Sequence, residues 1–199
     1  MSNTFNRLSS SLRGLFSSLT FWVKPEEKIK QRAVNLYKKY SPRIQVILGS
    51  PDIPDIEFIV SKDLNAPAAT TGTTITLNFQ YFSEHDDDGA IIHEMAHAIH
   101  RCPRYDNETS WLIEGIADYV RDVLGFQTSS SFSHFVKGQA LAGYQTTAHF
   151  LFWLEEKRSE AVTTLSKYLM DNTYSQDIFP VIFKLTLDDL IMEYESFQS

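Results

Sequence analysis

The chain is poor in three things, and each shortage excludes something. It has a single cysteine, Cys102, among 199 residues, so no intramolecular disulfide can form. That cysteine stands just past a helix-like run and is expected to be a small, partly buried residue, not a nucleophile. No apolar run approaches the roughly 18 residues that a membrane span needs. No basic block is present and the formal net charge is −7, which argues against nucleic acid as a partner. No internal repeat is evident. What is there, 43% hydrophobic and 13% aromatic residues, suits one globular domain with a real core.

Residues 1–24 lack acids altogether. They carry Arg7, Arg13 and Lys24 among many serines, which leaves the rest of the chain at −10. Phe5, Leu8, Leu12, Leu15, Phe16, Leu19 and Trp22 recur at helical spacing. The stretch is set apart as an N-terminal amphipathic and basic extension, with residues 25–199 forming the main domain. Three readings stay open for it: an arm or disordered extension, a helix making peripheral membrane contact through residues 1–22, or a targeting peptide. Serines break the apolar stretch and no small-residue cleavage site stands out, so it is not a clear secretion signal. Together with the lone cysteine this favours a cytoplasmic location, with secretion or organelle targeting as the alternatives. Oligomeric state is not legible.

Chemistry concentrates in Ile91-Ile92-His93-Glu94-Met95-Ala96-His97, an H-E-x-x-H run in an apolar segment. Positions four apart share a helix face, so His93 and His97 can present two imidazoles to one Zn²⁺. Glu94, one residue on, is placed to take a proton from a metal-bound water. Asp86-Asp87-Asp88 can cap this helix at its positive end, and Arg101 followed by Pro103 closes it. A second helical segment runs from Thr109 or Asn107 to Gly125 and places Glu114 and Asp118 on one face. The short connection favours two neighbouring helices. Catalytic zinc commonly takes two His and one Glu, so Glu114 is the natural third ligand. Asp118, one turn on, can bond the non-coordinating nitrogen of a ligand histidine. His100 shares the face of His93 and His97, but three ligands from one short helix would crowd a tetrahedral site.

These residues resemble the basic secretory protein family, assigned as zinc peptidases of plants and bacteria within the gluzincin group, whose pattern is H-E-x-x-H with a downstream E-x-x-x-D. The match is H-E-M-A-H followed by the run from Trp111 to Arg121, and within it Glu114-Gly115-Ile116-Ala117-Asp118-Tyr119-Val120-Arg121 is the most specific piece. G-T-T-I-T-L-N before the zinc helix is another. Gly143 to Leu151, G-Y-Q-T-T-A-H-F-L, is similar to the family's G-Y-x-x-T-A-R-F-L, with His149 where the family usually has Arg. The likeness spans about residues 30 to 185. The chain is acidic, so "basic" and "secretory" do not carry over.

The resemblance implies a mostly helical, zincin-like α+β domain, with a small sheet on the N-terminal side and the H-E-x-x-H helix beneath it. It implies a zinc-dependent metallopeptidase with one Zn²⁺ per chain on His93, His97 and Glu114, and Glu94 as the base. The substrate is a peptide or protein. By the same likeness peptide binding is placed along Ala69, Thr70, Thr71, Gly72, Thr73, Thr74 and Ile75, pairing with a strand edge. A phenol near zinc can donate to the oxyanion, so Tyr144 is assigned that work, with His149 as the other candidate. The alternative is a zinc-fold binding or defence-related protein that is catalytically silent or narrowly specific.

The scaffold is expected in this order. A helix starts at Pro25-Glu26-Glu27, breaks at Tyr40-Ser41-Pro42 and resumes over Arg43–Leu48. Ile56 to Val60 is a strand, Ala66–Gly72 a loop, and Thr73–Phe79 a strand with Ile75, Leu77 and Phe79 facing one way. Residues 126–137 form a loop bordering the cleft, Ala140–Lys157 a long helix, and residues 159–197 two or three short helices, with Pro180 inside one.

Overall fold

A computed structural model describes residues 23–126 and 135–198. The proposed extension over residues 1–24 lies almost wholly outside the described residues, as does most of the 126–137 loop. The fold is α+β and mostly helical, with one three-stranded sheet.

The first helix, α1 (Pro25–Leu48), opens with proline in its first turn and Glu26 and Glu27 beside its positive end. It does not break at Pro42, as the sequence suggests, but runs through it for 24 residues. An internal proline costs about 3 kcal/mol. Ile44 and Leu48 beyond it are fully buried on the same side as Ile29, Ala33 and Leu36. Burying two such side chains is worth roughly 1.5–3 kcal/mol each, which offsets that cost. Gly49, in the left-handed region at φ 65°, ends the helix.

Three strands follow: β1 (Glu57–Ser61), β2 (Ala68–Thr71) and β3 (Thr74–Asn78). Their order is β1-β3-β2, with β1 parallel and β2 antiparallel to the central β3. The stretch expected as a loop over 66–72 is thus half of a hairpin. Its small residues hid a four-residue edge strand, and Gly72 at φ 60° makes the tight turn back into β3. Strand β3 buries Ile75 and Leu77 completely. It stops before Phe79, because the Asn78 side chain accepts the Tyr81 amide at 3.0 Å and caps α2 (Phe79–Glu84).

Helix α3 (Asp88–His100) is capped by Asp87, whose carboxylate accepts the Ala90 amide at 3.0 Å. Asp86 and Asp88 pair with Arg32 and tie this end to α1. Ile91, Ile92, Met95 and Ile99 are completely buried. Helix α4 (Ser110–Val123) packs on α3, and α5 (Tyr144–Lys157) packs on α4. Helix α5 begins four residues later than its apolar period suggests, since Gly143 at φ 85° sets the chain's entry. Helices α6 (Ala161–Met170), α7 (Ile178–Phe183) and α8 (Leu187–Gln198) close the domain, with Pro180 in α7.

Candidate metal centre and cleft

His93 and His97 stand one turn apart on α3, and their Nε2 atoms are 3.0 Å from each other. Glu114 reaches them from α4, with Oε2 at 3.2 Å from His93 Nε2 and 3.4 Å from His97 Nε2. Three donors 2.0–2.1 Å from a tetrahedral ion would be spaced about 3.3 Å apart, so these atoms stand where three corners of such a shell would lie. His93, His97 and Glu114 are the group of His, Cys, Asp or Glu side chains among the described residues whose donor atoms converge this closely.

His93 and Glu114 are each held from behind. His93 Nδ1 is 2.7 Å from Asp118 Oδ1, and that carboxylate in turn receives Arg121 Nη1 at 3.2 Å. Asp118 and Glu114 lie on one face of α4 because they are four residues apart. Burial alone would lower the pKa of His93, but its bonds to Asp118 and Glu114 outweigh that and hold the imidazole at about 9. Burial works to raise the pKa of Glu114; the bonds from His93, His97 and Tyr105 prevail and keep it far below the usual carboxylate range. The cluster therefore strongly favours a positive charge among its donors, whether proton or metal cation.

Glu94 lines the same cleft without joining the three donors. Its Oε2 accepts the Thr70 hydroxyl of β2 at 2.7 Å, and its backbone carbonyl lies 3.1 Å from that same hydroxyl. Tyr144, the first residue of α5, stacks its ring near His93 at 6.0 Å between centroids. Burial raises its phenol pKa, and the charges of Glu114, Asp118 and Glu94 raise it further. The cleft encloses about 820 Å³ and runs from β2 across His93, His97 and Glu114 to Tyr105 and Tyr144.

The other expected site residues are distributed differently. His149 does not line the cleft; its Nδ1 is 2.7 Å from the Tyr194 hydroxyl of α8. Five residues along one helix turn a side chain about 140° away, so Tyr144 and His149 cannot share a face. Of the stretch 69–75, Ala69, Thr70 and Gly72 border the cleft. Thr74 and Ile75 belong to the central strand, paired on both edges, and Ile75 has no exposed surface. His100 is buried with Nε2 at 2.9 Å from Ser166 Oγ and 3.2 Å from its carbonyl. Cys102 is a half-buried thiol whose pKa burial pushes up to about 12.

Sequence reasoning missed Tyr105. Its hydroxyl donates to Glu114 Oε1 at 2.7 Å from the connection between α3 and α4. No periodicity links that connection to the site; the available signal was a hydroxyl-bearing aromatic nine residues before a candidate ligand. Thr70 was expected to touch substrate, and its bond to Glu94 was not foreseen.

Two imidazoles and a carboxylate drawn together from adjoining helices define a candidate metal centre of hydrolytic type. A family model described as "Peptidase of plants and bacteria" matches residues 25–194, from the first turn of α1 into α8. The chain belongs to that peptidase family. No curated protein and no solved structure matches it.

Proposed function

We propose that this peptidase is zinc-dependent. The observation that carries the reading is the convergence of His93 Nε2, His97 Nε2 and Glu114 Oε2 to within 3.4 Å of one another. Two imidazole nitrogens and one carboxylate oxygen are a donor set that catalytic zinc takes, with one position left for water. Bound there, zinc supplies Lewis acidity, lowering the pKa of a water and polarising a carbonyl oxygen.

The protein's own groups account for the rest. The Glu94 carboxylate accepts the proton of the attacking water and later delivers it to the leaving amine. Thr70 aims that carboxylate through its hydrogen bond to Oε2. The Tyr144 phenol, held protonated by burial and by its carboxylate neighbours, donates a hydrogen bond to the oxyanion. Asp118 keeps the Nδ1 proton on His93, which turns the Nε2 lone pair toward the other donors. Among the described residues, the outer edge of β2 has no strand partner, so an extended peptide can lie along Ala69 and Thr70 by backbone pairing.

Metal analysis of the purified protein beside Glu114→Ala tests this. One zinc per chain in the wild type, none in the variant, and peptide-library cleavage that a chelator stops and zinc restores are expected. Cleavage that persists without metal would reject the zinc reading while leaving the family assignment intact.

A further inference from the structure

Glu114 has two oxygens, and they face different partners. Oε2 is the atom that points at both imidazoles, 3.2 Å from His93 Nε2 and 3.4 Å from His97 Nε2. Oε1 accepts the Tyr105 hydroxyl at 2.7 Å. A carboxylate with both oxygens free can bind a metal through one or both, and taking up the second would fill the position that water needs. We propose that Tyr105 is a positioning residue that holds Glu114 to the metal through Oε2 alone. The inference rests on the zinc reading above.

The segment that bears Tyr105 is built to hold it there. Helix α3 ends at Arg101, in the left-handed region at φ 49°, and α4 begins at Ser110. Directly after Tyr105, Asp106 folds the chain into a closed turn: its Oδ1 accepts the amides of Glu108 at 3.0 Å and Thr109 at 3.1 Å. The Asp106 amide donates to Thr109 Oγ1 at 3.1 Å. Arg104, on the other side, bridges Asp106 at 2.8 Å and Glu108 at 2.6 Å. Tyr105 itself is 62% exposed, so its ring is not a core anchor, and among the described residues its hydroxyl is tied to the fold by the bond to Glu114. Removing a single oxygen atom there leaves the packing in place and takes the Tyr105 donor away from Oε1.

Tyr105→Phe and Tyr105→Ala are compared with wild type in two measurements. Chelator competition reads zinc affinity, and the visible spectrum of the cobalt(II)-loaded protein reads coordination number. Thermal unfolding of the metal-free proteins serves as the folding control, and equal midpoints are expected. Both variants should bind zinc roughly 10–100-fold more weakly, the usual effect of losing a partner behind a ligand. Their cobalt spectra should move from the intense bands of four-coordination to the weaker bands of five-coordination. Affinities within threefold of wild type with superimposable spectra would overturn the proposal. So would weaker binding with an unchanged spectrum, since the hydroxyl would then tune the charge of Glu114 without governing how it is held. If wild type itself binds no stoichiometric zinc, the failure belongs to the reading beneath.

Discussion

Gly115 and Thr147 leave no space for a methyl group between α4 and α5. A Cβ built on Gly115 would fall 2.1 Å from Thr147 Cγ2 and 2.6 Å from its Cβ. Thr147 cannot swing aside, because its hydroxyl accepts the Gly143 amide and donates to the Ala140 carbonyl, each at 2.8 Å. Gly115→Ala should therefore force the helices apart and lower stability by about 1–3 kcal/mol, the usual cost of overpacking. The neighbouring Glu114 should be displaced with it, so zinc affinity should fall too. Adding Thr147→Ser removes the γ-methyl and keeps the hydroxyl, and should restore part of the loss in urea titration. If Gly115→Ala is as stable as wild type, the two helices are not packed this closely.

The bond from His93 to Asp118 predicts a different phenotype. Asp118→Asn keeps the side-chain shape and removes the charge that pairs with Arg121 and supports the His93 proton. Zinc affinity should fall about 10-fold or more. Chelator competition measures it, and an unchanged dissociation constant would separate Asp118 from the metal.

Two substitutions probe the proton path. Glu94→Gln should retain zinc and lose roughly 10²–10⁴-fold in turnover, the range expected for a general base. Thr70→Val, which deletes the hydroxyl on Glu94 Oε2, should lower kcat about 10-fold with KM little changed, while Thr70→Ser should stay near wild type. A Glu94→Gln protein that cleaves peptides at the wild-type rate would remove Glu94 from the reaction.

His100 sets an acid limit on stability. Burial, aided by the charge of His97, lowers its pKa to about 4 from 6.5, against the backbone bond to Ser166. The unfolded chain takes up this proton near pH 6.5 and the folded chain only near pH 4. Between those values the unfolded state binds more protons, so stability is intact above pH 6.5 and is lost as pH falls toward 4. The loss should reach about 2 kcal/mol at pH 5. Urea unfolding at pH 7 and pH 5 should show His100→Gln to be less acid-sensitive than wild type by that amount. Equal sensitivity would mean that His100 titrates normally.

The donors His93, His97 and Glu114 were legible because helical geometry converts a spacing of four into a shared face, and a short connection into neighbouring helices. Asp118 followed from the same spacing. The same logic failed at α1, where burial of Ile44 and Leu48 overrode the local signal of Pro42. It failed at β2, because Ala68, Ala69, Thr70 and Thr71 carry almost no apolar alternation, and only pairing with β3 makes them a strand. Tyr144 and His149 were candidates on chemistry, and the turn of α5 separates them. Tyr105 depends on a turn folded by Asp106, Thr109 and Arg104, whose side-chain hydrogen bonds have no period to detect.

Strand β2 is only four residues long, and that brevity constrains what recognition along it can achieve. A ladder so short supplies few main-chain bonds to a visiting peptide, each worth about 0.5–1.5 kcal/mol net. On the proposed binding along β2, selectivity would come from side chains seated in the cleft beside His93, His97 and Glu114, and mimics that copy only a backbone should make poor inhibitors. A short rim also guards against sister molecules zipping together edge to edge, the hazard that a longer open strand would create in concentrated solution.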